Sequence, residues 1–191
     1  MMKKILGAIL ILIALAGGWY FFYWQDTPAY AAGEIQQAVQ KKDWELFQKR
    51  VDMNQVYSYA LDDMLEELKA DKLPEHKLAA SLVKSIKKEV VKELIRQTEI
   101  KFREDAPASN SLLDKPVKTL IAYAGSSALS LTDIFQVEEK DGIATAYVKL
   151  HDKELGKNFT WQVQLEKDVN GHWAATRIVN FKEYLAERMR K

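Results

Sequence analysis

The stretch Asn158-Phe159-Thr160-Trp161-Gln162-Val163-Gln164-Leu165-Glu166-Lys167-Asp168 alternates polar and apolar side chains, and Asn170-Gly171 follows it. Successive side chains of a strand point to opposite faces. Phe159, Trp161, Val163 and Leu165 therefore form one apolar row, and Thr160, Gln162, Gln164 and Glu166 a wet one. A sheet buried on one face and solvated on the other is antiparallel, with helices on a single side. Asn-Gly favours the positive φ angles of a tight hairpin turn, which predicts pairing with His172–Asn180. Asp141-Gly142 does the same for Phe135–Lys140 and Ile143–Leu150. Ala144, Ala146, Val148 and Leu150 supply the matching apolar row, with Ile143 and Tyr147 on the outer face. Two consecutive hairpins predict four strands in up-and-down order.

Upstream the period changes from two to that of a helix. Thr27-Pro28 is a start signal, a capping hydroxyl before a proline at the first helical position. The helix it opens places Ala31, Ile35, Ala38 and Val39 on one side. Asp43 opens a short helix carrying Trp44, Phe47 and Val51, and Asp52 opens a third carrying Val56, Tyr59, Ala60, Met64, Leu65 and Leu68. After the interruption at Lys72-Leu73-Pro74 a longer helix is expected to about Arg103, with a kink. Its stripe is Leu78, Leu82, Ile86, Val90 and Leu94, broadened by Val83, Val91 and Ile95.

The N-terminus sets the chain's address. From Ile5 to Trp24 run 20 residues without one charged side chain. At about 1.5 Å per residue such a helix is roughly 30 Å long, the thickness of a bilayer's hydrocarbon core. Lys3 and Lys4 precede it and Trp19-Tyr20-Phe21-Phe22-Tyr23-Trp24 closes it, a basic inner flank and an aromatic outer belt. A cleaved leader ending at Ala14-Leu15-Ala16 is the competing reading. Cleavage there would leave Gly17-Gly18 and six aromatic residues exposed at the new terminus, so retention is expected. The expected organisation is a cytoplasmic tail 1–4, a transmembrane anchor 5–24 and one extracytoplasmic α+β domain 25–191. Within that domain a helical half (27–104), a loop (105–116) and a short helix with the β half (117–191) follow one another. The expected fold class is α+β: a single N-terminal transmembrane helix, then helices on one face of a four-stranded antiparallel meander. The expected location is the inner membrane, N-terminus inside and domain outside.

Composition narrows function by exclusion. There is no cysteine, hence no disulfide, thiolate nucleophile, thiolate metal site or lipidated cysteine. Outside the first 24 residues the 28 basic residues fall to 26, against 27 acidic ones, a balance of −1 with no case for nucleic acid. His76, His151 and His172 have no metal-ligand spacing. His151, Asp152 and Glu154 read as a solvated turn rather than a loose cation site. Asp62-Asp63 and Glu66-Glu67 read as solvated charge on a helix, because a general acid or base would need burial. No serine sits in a glycine-flanked strained turn. Lys84, Lys88, Lys92 and Arg96 recur every four residues, a row able to touch anionic headgroups. With Glu89 and Glu93 beside it, the same row reads as an ordinary wet helix face.

Thr27-Pro28-Ala29-Tyr30, Ile35-Gln36-Gln37-Ala38, Lys42-Asp43, Phe47 and Val51-Asp52, directly after the N-terminal apolar run, resemble the bacterial family filed as domain of unknown function 2939. Met53 stands where that family usually has an aromatic residue. The resemblance implies a small, singly anchored envelope protein and carries no activity. Gly171-His172-Trp173, Arg177-Ile178-Val179 and a closing helix from Phe181 resemble the last strand of cystatin-like and nuclear-transport-factor-like α+β rolls, which implies a pocket between sheet and helices. The expectation is a non-catalytic module without cofactor that binds an envelope protein or a small apolar ligand. The alternatives are a hydrolase of envelope material using unidentified carboxylates and an anionic-lipid-contacting structural module.

Overall fold

The structure, a computed structural model, describes residues 2–70, 74–103 and 129–190, without the side chains of residues 2–10, 22, 74–76, 78, 79 and 129. The expected loop 105–116, the short helix from 117 and the interruption at Lys72-Leu73 lie outside the described residues. The architecture is α+β. Seven helices among the described residues, α1 (Met2–Gln25), α2 (Pro28–Lys41), α3 (Trp44–Arg50), α4 (Met53–Ala70), α5 (Pro74–Ser85), α6 (Lys87–Arg103) and α7 (Phe181–Met189), accompany one sheet. Its strands β1 (Leu129–Lys140), β2 (Ile143–Asp152), β3 (Lys157–Lys167) and β4 (Trp173–Ile178) lie in the order β1-β2-β3-β4, all antiparallel.

Local chemistry sets the helix starts. The Thr27 hydroxyl accepts the Tyr30 N–H at 3.2 Å, Asp43 accepts that of Leu46 at 3.0 Å and Asp52 that of Gln55 at 3.0 Å. Each satisfies a donor that a helix start leaves orphaned. The first hairpin turn is the expected one, with positive φ at both Asp141 and Gly142. The last is longer. Asp168 and His172 close it, the Asp168 N–H donating to the His172 carbonyl at 2.8 Å, and only Gly171 takes a positive φ.

The register places Ala146 beside Val163 and Val148 beside Trp161, so the expected apolar rows of β2 and β3 share one face. Helices cover that face. One cluster joins Ala31, Trp44 and Val51 to Ala146, Leu165 and Trp173, and the other joins Leu61, Leu65, Val83 and Val90 to Tyr184 and Leu185. The edge strand β4 is closed by Val51, which bridges to Ala175 while the Asp52 N–H donates to the Ala175 carbonyl at 2.9 Å. Covering an edge in this way removes a template for aggregation.

Two helix expectations need correction. The kink expected in the long helix is a break at Ile86 between α5 and α6, where the Ile86 N–H reaches the carbonyl three residues back rather than four, but the inward residues there differ from those expected. Ala80, Val83, Val90 and Val91 are buried while Leu82 and Ile86 are exposed, so Val83 rather than Leu82 carries the inward face of α5. On α4 it is Tyr57 that faces inward. Tyr59 is exposed, beneath the Arg177 guanidinium.

The helix α1 joins neither core cluster. From Ile11 to Trp24 its large described side chains are exposed, Trp19 and Tyr23 among them. Among the described residues no helix is long and apolar enough to cross a membrane. The side chains of residues 5–10 and Phe22, part of the uncharged run, lie outside that description.

Candidate functional site

Between the sheet and its helices lies a cavity of about 340 Å³. Its floor is the apolar face of the sheet, where Ala146, Val148, Val163 and Ile178 project upward. Its walls are Ile35 on α2, Phe47 on α3, Val56, Tyr57 and Ala60 on α4, Leu94 on α6 and Phe181 on α7. Alanines open the space. Ala32, Ala60, Ala146 and Ala175 occupy lining positions where a larger side chain would close it. Val163 and Trp161 are central on the buried face yet remain only partly covered, because their free surface faces this cavity.

The lining carries almost no polarity. The Tyr57 hydroxyl bonds the Thr98 hydroxyl, which in turn donates to the Leu94 carbonyl at 2.9 Å. Burial pushes the Tyr57 phenol above its ordinary value, outweighing that hydroxyl contact. The Trp161 indole nitrogen has no exposed surface, so the ring offers carbon to the cavity and keeps its N–H away. Phe181 and Tyr184 meet the Trp161 ring edge to face, at 5.9 and 5.6 Å, and fix that wall. No charged side chain lines the cavity, and the side-chain polar groups of its described lining are the Tyr57 hydroxyl and the Trp161 indole N–H, the latter buried without a hydrogen-bond partner. The cavity can exclude water from an apolar molecule.

The cation row is divided between two helices. Lys84 lies on α5 and Lys88, Lys92 and Arg96 on α6, so the row crosses the break at Ile86. Lys84, Lys88 and Lys92 are exposed, and Arg96 donates to Glu93 from two nitrogens at 2.6 and 2.8 Å. His151 pairs with Asn158 at 2.8 Å near the β2–β3 turn, whereas His172 sits at the other end of the sheet. Among the described residues no group of three or more His, Asp or Glu could hold a metal ion.

Two carboxylates expected to be solvated are buried. Asp152 has 0 % exposure. Its Oδ1 accepts the Glu154 and Leu155 N–H groups at 2.9 Å, and its Oδ2 accepts the Tyr184 hydroxyl and the Arg188 guanidinium at 2.7 Å. Burial alone would raise its pKa, but these donors outweigh that and hold it down at about 2. The positions open to a cation are thus taken by Arg188, which also holds Glu154. The signal was present in the sequence: Asp152 continues the parity of Ala144, Ala146, Val148 and Leu150.

Asp63, 5 % exposed, lies between Arg177 at 3.7 Å and Lys182 at 3.8 Å, and its Oδ2 has no hydrogen-bond partner. Burial raises its pKa, with the two cations pulling the other way. It stands three residues after Ala60 and seven after Val56, in phase with the inward face of α4. Yet Asp63 does not line the cavity, so its raised pKa serves no chemistry there.

A third buried group, Arg50, donates to Glu34 at 2.5 Å and to the Trp173 carbonyl at 3.3 Å. Trp173 donates its indole N–H to the Asp26 carbonyl at 3.0 Å, which ties the end of α1 to the sheet. No family model, curated protein or solved structure matches this chain.

Proposed function

We propose that this chain is a membrane-anchored, non-catalytic module that holds a small apolar ligand between its sheet and its helices. The cavity carries the proposal. Its lining is almost wholly apolar and it is partly open to solvent, so without an occupant that carbon surface faces water, which is unfavourable. A ligand that takes up the space removes most of that cost, and an apolar lining selects a molecule, or part of one, with no charge to desolvate.

The anchor rests on the uncharged run Ile5–Trp24 and on the apolar surface of α1, which among the described residues is exposed. Contiguous apolar surface of that extent needs a non-aqueous neighbour. Lys3 and Lys4 orient it with the N-terminus inside.

The fragment 25–191 retains both core clusters and suits the test. Native mass spectrometry of that fragment is expected to show a co-purifying apolar molecule. The neutral fluorescent probe N-phenylnaphthylamine is expected to bind it saturably and to be displaced by a fatty acid. An absence of saturable uptake would overturn the ligand reading. Reporter fusions at Lys191 are expected to be active only outside the cytoplasm, and cytoplasmic activity would reverse the topology.

A further inference from the structure

We propose that the tip of the β3–β4 hairpin rests in the membrane interface and presents Val169 to the lipid. The inference depends on the reading of α1 as a membrane anchor and adds a second, separate point of contact. The hairpin's base is clamped to the residue that follows α1. Lys167 and Trp173 face each other as a cross-strand pair, and both reach Asp26, Lys167 through its ammonium at 3.2 Å and Trp173 through its indole N–H at 3.0 Å. The Lys167 ammonium also lies over the Trp173 ring at 5.5 Å. Asp26 is one residue beyond Gln25, where α1 ends, and Gln25 and His172 line the same polar recess. The hairpin tip therefore sits beside the aromatic end of α1, in the layer that Trp19, Tyr20, Tyr23 and Trp24 suit.

The tip itself is built to display one residue. Asp168 accepts the N–H groups of Asn170 and His172 through its Oδ1, both at 2.8 Å, and the Gly171 N–H donates to the Asp168 carbonyl at 2.9 Å. These bonds hold the loop and leave Val169 at 102 % exposure, the most exposed large apolar side chain among the described residues. A rigid loop loses little further freedom when it enters an interface. Val169 lies two residues from Lys167, within about 7 Å along the chain, so the clamp at Asp26 fixes its depth relative to the anchor. The β2–β3 turn at Lys153 lies at the opposite end of the sheet and faces away from that layer.

The absence of cysteine makes the test direct. Full-length protein carrying a single spin label at Val169→Cys, Lys153→Cys or Leu12→Cys is reconstituted in vesicles of phosphatidylcholine and phosphatidylglycerol. Each label's accessibility to oxygen is compared with its accessibility to a water-soluble nickel chelate. The expected result is a ratio at Val169 severalfold above that at Lys153, with Leu12 highest of the three. Equal ratios at Val169 and Lys153 with Leu12 still lipid-exposed would overturn the hairpin contact alone. A water-accessible Leu12 label would overturn the anchor and the hairpin contact together.

Discussion

Ala146→Ile probes the space between sheet and helices, because the sign of the stability change depends on that room. Ala146 lies in the middle of β2, flanked by Val137 and Val163, and its methyl group lines the cavity. Isoleucine adds three carbons at a position where β-branching suits the strand. Burying them contributes about 2.4 kcal/mol at ~0.8 kcal/mol each, less about 0.5–1 kcal/mol for the ordered side chain, a net gain near 1.5–2 kcal/mol. In a core already packed to native density the same substitution would lose about 1–3 kcal/mol through strain. Urea unfolding of the 25–191 fragment separates these outcomes. With a slope near 2 kcal/mol per molar, the midpoint of ligand-stripped protein is expected to rise by about 0.8–1 M. Binding of the apolar probe should weaken at the same time, because the added carbons occupy its place. A lowered midpoint with an unchanged slope would refute the reasoning, since it would mean that no room exists beside Ala146.

The buried charges yield further expectations. Asp152 is held at about 2 in the folded chain against an ordinary value of 3.8, so its stabilisation is full above about pH 4 and is lost as the pH falls through 2. Asp152→Asn is expected to cost about 3 kcal/mol at pH 7, by leaving Arg188 short of a partner, and to flatten the acid limb of a stability-against-pH curve. Asp63 behaves oppositely. Its raised folded pKa means that stability falls as the pH rises from the unfolded value through the folded one, so the advantage of Asp63→Asn in melting temperature should be larger at pH 7 than at pH 3.5. Trp173→Phe removes the bond to the Asp26 carbonyl and is expected to cost about 1 kcal/mol in urea unfolding of the fragment. Changing Lys84, Lys88 and Lys92 together to Gln is expected to leave co-sedimentation of the fragment with phosphatidylglycerol vesicles unchanged. A clear loss would make the row a lipid contact.

Much of the frame was legible because its signals are local. The caps at Thr27, Asp43 and Asp52 depend on a side chain and an amide three residues away, and the first hairpin on the backbone freedom of Asp141-Gly142. The loop at Asn170-Gly171 was harder to type, since Asp168, outside the dipeptide, supplies the bonds that lengthen it. The kink in the long helix was expected and Val90 and Val91 are buried as read, but Leu82 and Ile86, before and at the break, were placed inward although they are exposed. The adjacent Val83 takes the inward position, and a stripe with apolar residues side by side does not say which of them it is. Asp63 and Asp152 could have been found by extending the apolar phase by one step. Their charge argued for solvent, and only partners distant in sequence, Arg177 and Lys182 for one and Tyr184 and Arg188 for the other, make burial tolerable.

By itself the sequence determined the alternating strands, the order of helices before sheet and the uncharged N-terminal run, all of which are patterns within a few residues of one another. Tertiary structure alone decided which alanines leave a cavity and which carboxylates are enclosed. It also decided that the end of α1 is bound to the hairpin of β3 and β4. Space and depth are sums over many side chains brought together from across the chain, and no single stretch of residues contains them.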